Sequence, residues 1–223
     1  MKKLALVITL LICQWAQADI MKDFDSLGGN DVLIDRAKKL QPNKNVTVVQ
    51  NRTVDRYLRN EFSIGYNNIV GGDAYLQTQM LNANYHLHIN PRWAVGLSYF
   101  SAFNKLSSEG EFLVDADGLI PDVDAPDSGY ELVGNFAPIY GKVNMFDLGV
   151  IQFDVYALVS YGRIKLQSGD SDTYSLGAGL GLWISQHLSS RFEIRQRAYT
   201  AQRFGGTQDM STTSVGFTFG YIL

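Results

Sequence analysis

Eight stretches of this chain alternate, residue by residue, between large apolar side chains and small or polar ones. That period of two constrains the fold more than any other feature, because only an extended strand sends successive side chains to opposite faces. The last stretch is the clearest: Val215, Phe217, Phe219, Tyr221 and Leu223 alternate with Ser214, Gly216, Thr218, Gly220 and Ile222. Tyr174 to Ile184 repeats the pattern against Ser175, Gly177, Gly179, Gly181, Trp183 and Ser185. The runs fall near 57–69, 76–88, 92–104, 130–143, 151–164, 173–185, 191–203 and 211–223. Strands of soluble sheets average about five or six residues, whereas a tilted strand needs about 9–11 to cross a bilayer. The spacing predicts short turns at 88–91, 144–149 and 186–190, against a long polar connection at 105–129. An even number of long strands with short turns at one end and longer loops at the other is the pattern of an outer-membrane barrel. The predicted fold class is all-β: an eight-stranded antiparallel closed transmembrane β-barrel with a short N-terminal periplasmic helix.

The polar face supports this choice over a soluble sandwich. Arg191, Glu193, Arg195 and Arg197 project one way from the seventh run, Arg59 and Glu61 from the first, and Asp154 from the fifth. In a membrane barrel these groups turn inward, since a charge facing lipid near the midplane costs about 2–4 kcal/mol. Eight strands enclose a space just wide enough for side chains to fill. Arg59, Glu61, Asp154, Glu193, Arg195 and Arg197 are therefore expected to form a plugging ion-pair network, with no diffusion channel; a narrow channel is the competing expectation. Tyr57, Tyr75, Trp93, Tyr130, Tyr140, Tyr161, Tyr174, Trp183 and Tyr199 lie near strand ends and suit interfacial girdles. The smooth outward stripe Leu176, Ala178, Leu180 and Leu182 is a candidate contact for lipid or a second subunit.

Upstream of the barrel, Lys2 and Lys3 precede an apolar run, Leu4 to Ile12, and Ala16-Gln17-Ala18 offers small residues at a cleavage position. This predicts a signal peptide over 1–18, because the run is too short to anchor. The single cysteine, Cys13, lies within it, so the exported chain needs no disulfide. Residues 19–56 are read as a periplasmic segment with a helix from Asp31 to Leu40, capped by Asn30 and stopped by Pro42, and 57–223 as the barrel. A chain 46% hydrophobic with net charge −3 is neither disordered nor a nucleic-acid binder.

Little here points to a reaction. His86, His88 and His187 gather at the short-turn end with no carboxylate or thiol at ligand spacing, so no metal centre, cofactor or catalytic residue is assigned. The connection at 105–129 is acidic, and Asp115, Asp117, Asp122 and Asp124 could hold a cation weakly. A solvated loop kept soluble by its charge is the preferred reading. Surface binding or adhesion through this loop is the alternative function.

Several phrases together resemble a family of small outer-membrane β-barrel-domain proteins of myxobacteria and predatory bacteria. They are Leu27-Gly28-Gly29-Asn30-Asp31, Val48-Val49-Gln50-Asn51-Arg52, His88-Ile89-Asn90-Pro91-Arg92-Trp93, Pro138-Ile139-Tyr140-Gly141-Lys142 and the stretch 177–187. The terminal Tyr221-Ile222-Leu223 resembles the signal read by the barrel-assembly machinery, with Leu223 in place of the usual aromatic. The resemblance implies a barrel in the cell outer membrane and no reaction, and it suggests ring-shaped homo-oligomers enclosing lipid. The expected role is non-enzymatic, structural or membrane-organising, with outer-membrane lipid and further copies of the chain as partners.

Overall fold

The computed structural model describes residues 54–144 and 150–223, together with Lys39. The expected signal peptide and almost all of the expected helix from Asp31 to Leu40 lie outside these residues. Eight strands follow in chain order: β1 (Arg59–Gly71), β2 (Leu76–His88), β3 (Trp93–Leu106), β4 (Pro126–Asn144), β5 (Val150–Leu166), β6 (Gly169–Trp183), β7 (Leu188–Arg203) and β8 (Gly206–Ile222). Each pairs antiparallel with its neighbour, and β1 closes on β8 with Phe62 opposite Tyr221 and Tyr66 opposite Phe217. Closure removes every sheet edge, which lipid, offering no hydrogen bonds, demands. Among the described residues no helix is long and apolar enough to cross a membrane.

The alternation sets the two faces. Phe62, Ile64, Leu97, Tyr99, Leu132, Val159, Leu176 and Phe219 are exposed on the outside, while Glu61, Ser63, Ser98, Glu131, Ser160, Ser175 and Thr218 are buried within. Along most of the barrel this inverts a soluble sheet, with polar atoms inside and hydrocarbon outside.

The loop end departs from the expectation of longer loops at that end. Only the β3–β4 connection is long, at 107–125; β1–β2 turns at 72–75, β5–β6 at 167–168 and β7–β8 at 204–205. Gly169 (φ 144°) and Gly206 (φ 112°) adopt backbone angles that side chains resist, so the hairpins close in two residues and the strands zip further. The acidic connection is also not a plain loop. It carries helix α1 (Ser108–Asp117), started by Ser107, whose Oγ accepts the Gly110 N–H at 3.2 Å, and ended by Gly118 at φ 62°.

Phase along the strand overrides residue type for three of the expected girdle aromatics. Trp183 (1% exposed) and Tyr199 (8%) fall on inward positions of β6 and β7 and are buried inside. Tyr140 is turned inward by an extra residue in β4: Phe136 pairs with Ala157 but Ile139 with Val155, so the strand changes face across Ala137-Pro138. Pro138, lacking an N–H, fits such an irregularity. Trp93, Tyr130, Tyr161 and Tyr174 do face outward.

Candidate functional site

The barrel interior is filled by charged side chains in two groups, met in turn from the end where β1 begins and β8 ends. In the first, Glu61 accepts hydrogen bonds from Ser189 Oγ (2.5 Å) and from Arg191 Nη2, and its Oε2 lies 2.7 Å from His88 Nε2. Asp154 pairs with Arg56 Nη1 at 2.5 Å and accepts the Trp183 indole N–H at 3.0 Å. The Trp183 ring carries both cations, with Arg56 Cζ 4.5 Å and Arg191 Cζ 5.6 Å from its centroid. Small inward residues make this room: a Cβ on Gly220 would run into Ser189 Oγ and Glu61 Oε1, and one on Gly181 into Asp154 Oδ1.

Deeper in, Glu131 accepts Arg195 Nη1 (2.6 Å), Arg197 Nε (2.8 Å), Ser175 Oγ (3.0 Å) and Ser160 Oγ (3.2 Å). Glu193 pairs with Arg195 Nη2 at 2.8 Å and accepts the Tyr156 hydroxyl at 3.0 Å. Four arginines (Arg56, Arg191, Arg195, Arg197) thus meet four carboxylates (Glu61, Asp154, Glu131, Glu193), leaving the column electrically balanced. Balance matters because an unpaired charge in this buried interior is strongly destabilising, even where the pair itself adds little net stability.

Of the six residues read from the sequence as the interior network, Glu61, Asp154, Glu193, Arg195 and Arg197 sit in these groups. Arg59 does not. It lies at the rim, donating to the carbonyls of Asp55, Gln186, Ile222 and Leu223 at 2.9–3.3 Å, and so clamps the β1–β8 seam. Glu131, two residues past the acidic connection, is fully buried and the most heavily bonded carboxylate inside. Its inward phase between outward Tyr130 and Leu132 is the signal that identifies it. Arg56 enters from the segment before β1, where no periodicity marks it.

Both mouths are covered. At the terminus end Val54 packs on Trp183 and Ile222, and its N–H donates to Gln152 Oε1 at 3.0 Å. At the loop end an apolar layer of Met80, Phe100, Ile164, Leu166, Tyr199 and Ala201 lies above Arg197. The β3–β4 connection is fastened above it to all three other turns. Asp124 accepts from Ser168 N–H (3.0 Å), Ser168 Oγ (2.6 Å) and Gln202 N–H (2.9 Å). Asp122 accepts from Phe204 N–H at 3.0 Å and, through its carbonyl, from Arg203, which also pairs with Asp73. Ser107 Oγ donates to Ala74 O at 2.6 Å.

Of the four acids read as a weak cation site, Asp122 and Asp124 are therefore engaged by protein donors, and Asp115 is exposed on α1. Among the described residues no three His, Cys, Asp or Glu side chains come together in a way that could hold a metal ion. His86 and His88 are buried in the barrel, whereas His187 stacks on outward Tyr221 at 5.7 Å.

Outside, Leu176, Ala178, Leu180 and Leu182 form one stripe of β6, with Ala178 opposite Ala157 of β5 and Ile194 of β7. The outward face of β7–β8 turns polar beyond Ile194 and Val215, where Gln196 bonds Ser211 (3.0 Å), Thr200 bonds Asp209 (3.2 Å) and Gln202 bonds Thr207 (3.0 Å). That hairpin continues past the apolar belt.

An inverted, closed, filled barrel of this kind defines a transmembrane β-barrel. Residues 50–222 match the family described as outer membrane protein beta-barrel domain, and the chain belongs to that family; it is a protein of the cell outer membrane. No curated protein matches it. Among solved structures it is similar to Ail, the attachment invasion locus protein of Yersinia pestis. Identity there is 14%, the match covers 75% of this chain and 99% of that one, and the TM-score is 0.38. It is also similar to the N-terminal β-barrel domain of Pseudomonas aeruginosa OprF (11% identity, 72% and 96% covered, TM-score 0.38). Neisserial surface protein A is a third (9% identity, 73% and 95% covered, TM-score 0.39).

Proposed function

We propose that this barrel has a non-enzymatic, structural role in organising the outer membrane, exercised through its outer surface and through contacts with lipid and with further copies of the chain. The observation that carries the reading is the filled interior: balanced ion pairs occupy the bore and both mouths are covered, so the surface is what remains for function. The pairing of Ala157 with Ala178, between Val155, Val159, Leu176 and Leu180, gives a low-relief face where a second barrel can approach. A ring of subunits enclosing lipid is the assembly we propose, in keeping with the narrower resemblance to barrels of predatory bacteria. Native mass spectrometry of the detergent-extracted protein, counting subunits and retained lipids, tests it. A discrete multimer carrying lipid supports the reading, and a lipid-free monomer at membrane-like density overturns the ring. Planar-bilayer recordings test the closed bore: stable conductance that changes in Glu193→Gln would favour a narrow channel.

A second reading is surface binding at the loop end. Phe112, Ile120 and Phe204 expose most of their side chains there, on and beside the fastened connection. Replacing all three by Ser should abolish cell or surface attachment while leaving the barrel folded; unchanged attachment removes this reading.

A further inference from the structure

We propose that the terminus-end mouth holds a small monovalent anion, with chloride the probe of choice, between Arg56, Arg191 and Arg92. The site is a small cavity of about 20 Å³, room for one particle of roughly water size. Arg56, Arg92, Arg191, Asn135, Asp154 and Tyr156 are among its walls. Two observations independent of its shape point to an occupant.

The first is unmet hydrogen bonding. Arg56 Nε and Arg191 Nε are buried and have no acceptor, although each guanidinium is held through another nitrogen: Arg56 Nη1 on Asp154, Arg191 Nη2 on Glu61. Both residues are more than nine-tenths buried, at 3% and 8% exposed. An orphaned buried donor on a cation costs more than one on a neutral group, and two such donors on residues that line one cavity call for a shared acceptor.

The second is charge. Asp154 and Glu61 neutralise Arg56 and Arg191, but Arg92, on the β2–β3 turn, has no carboxylate partner among the described residues. His88, also in the wall, is already committed to Glu61. Arg92 is exposed and meets the cavity at its rim, where it adds a positive charge that no carboxylate among the described residues offsets. A monovalent anion balances it, accepts from both Nε–H groups, and fits the volume that a phosphate or a larger carboxylate would exceed. Asn135, whose Oδ1 is buried without a donor, completes the site when its amide turns to present Nδ2. A water molecule would satisfy the donors without balancing the charge, and that difference makes the proposal testable.

The experiment measures thermal unfolding of the full barrel in zwitterionic lipid, replacing gluconate stepwise by chloride at constant ionic strength. The expected result is a saturable rise in Tm with chloride that is lost in Arg92→Gln, a substitution of an exposed side chain outside the buried ion pairs. Crystals soaked in bromide should show one anomalous peak between the Arg56 and Arg191 guanidiniums of the native protein. A Tm indifferent to the choice of anion, or a halide effect retained in full by Arg92→Gln, overturns the proposal. A peak absent from the cavity does so too and assigns the site to water.

Discussion

Replacing Glu131 by Gln isolates what charge balance contributes to this barrel. The carboxylate is fully buried and receives Arg195, Arg197, Ser175 and Ser160. Arg195 retains Glu193 after the change, so the deficit falls on Arg197. Its remaining contacts are the Met80 sulfur at 3.7 Å and the face of Phe100 at 4.4 Å, neither of which neutralises a guanidinium. Breaking one side of a buried pair costs about 3–5 kcal/mol. The neutral amide still accepts one hydrogen bond, which places Glu131→Gln at the low end, about 3 kcal/mol or roughly a hundredfold in the unfolding equilibrium. Equilibrium urea unfolding in phospholipid vesicles, followed by the fluorescence of Trp93 and Trp183, measures it. The double variant Glu131→Gln/Arg197→Met should recover about 2 kcal/mol of the summed single losses, because the orphaned cation is then gone. A loss under about 1 kcal/mol for Glu131→Gln, or strict additivity in the double variant, would refute the reasoning that the interior is dry enough for charge balance to matter.

Three further outcomes follow from the same geometry. Gly220→Ala should destabilise by about 1–3 kcal/mol through its collision with Glu61 and Ser189. Gly205→Ala, with open space around it, should stay within about 0.5 kcal/mol, and urea midpoints compare the two. Ala178→Arg sets a charge on the outward stripe of β6 and should cost about 2–4 kcal/mol if that face meets lipid near the midplane; a urea midpoint in vesicles unchanged from the native barrel would count against that placement. Ser107→Ala removes both the α1 cap and the bond to Ala74, so proteolysis within 107–125 should accelerate while the gel mobility of the folded barrel is unchanged.

The strands, their order and the side each residue faces were legible in the chain, because a period of two carries both the secondary structure and the face. Where residue type and phase disagreed, phase prevailed: Trp183 and Tyr199 suit a membrane interface by chemistry, but their inward positions bury them. Glu131 was obscured in the same way, by its proximity in sequence to a run of acids. Charged residues spaced by two on an otherwise apolar strand have one tolerable side, and Arg191, Arg195 and Arg197 of β7 take it.

What the sequence determined by itself was thus the closed barrel and its inversion, both consequences of local alternation under the rule that lipid accepts no charge and no open strand edge. The tertiary structure alone decided which charges meet. Arg56 lies 98 residues from Asp154, and Glu61 lies 130 from Arg191; no local pattern relates such pairs, since barrel closure and register bring them together. It also decided that the acidic connection is a strap fastened at both ends. The one-residue shift at Pro138, and the cover of Val54 over the bore, likewise depend on how eight strands stagger around a common axis.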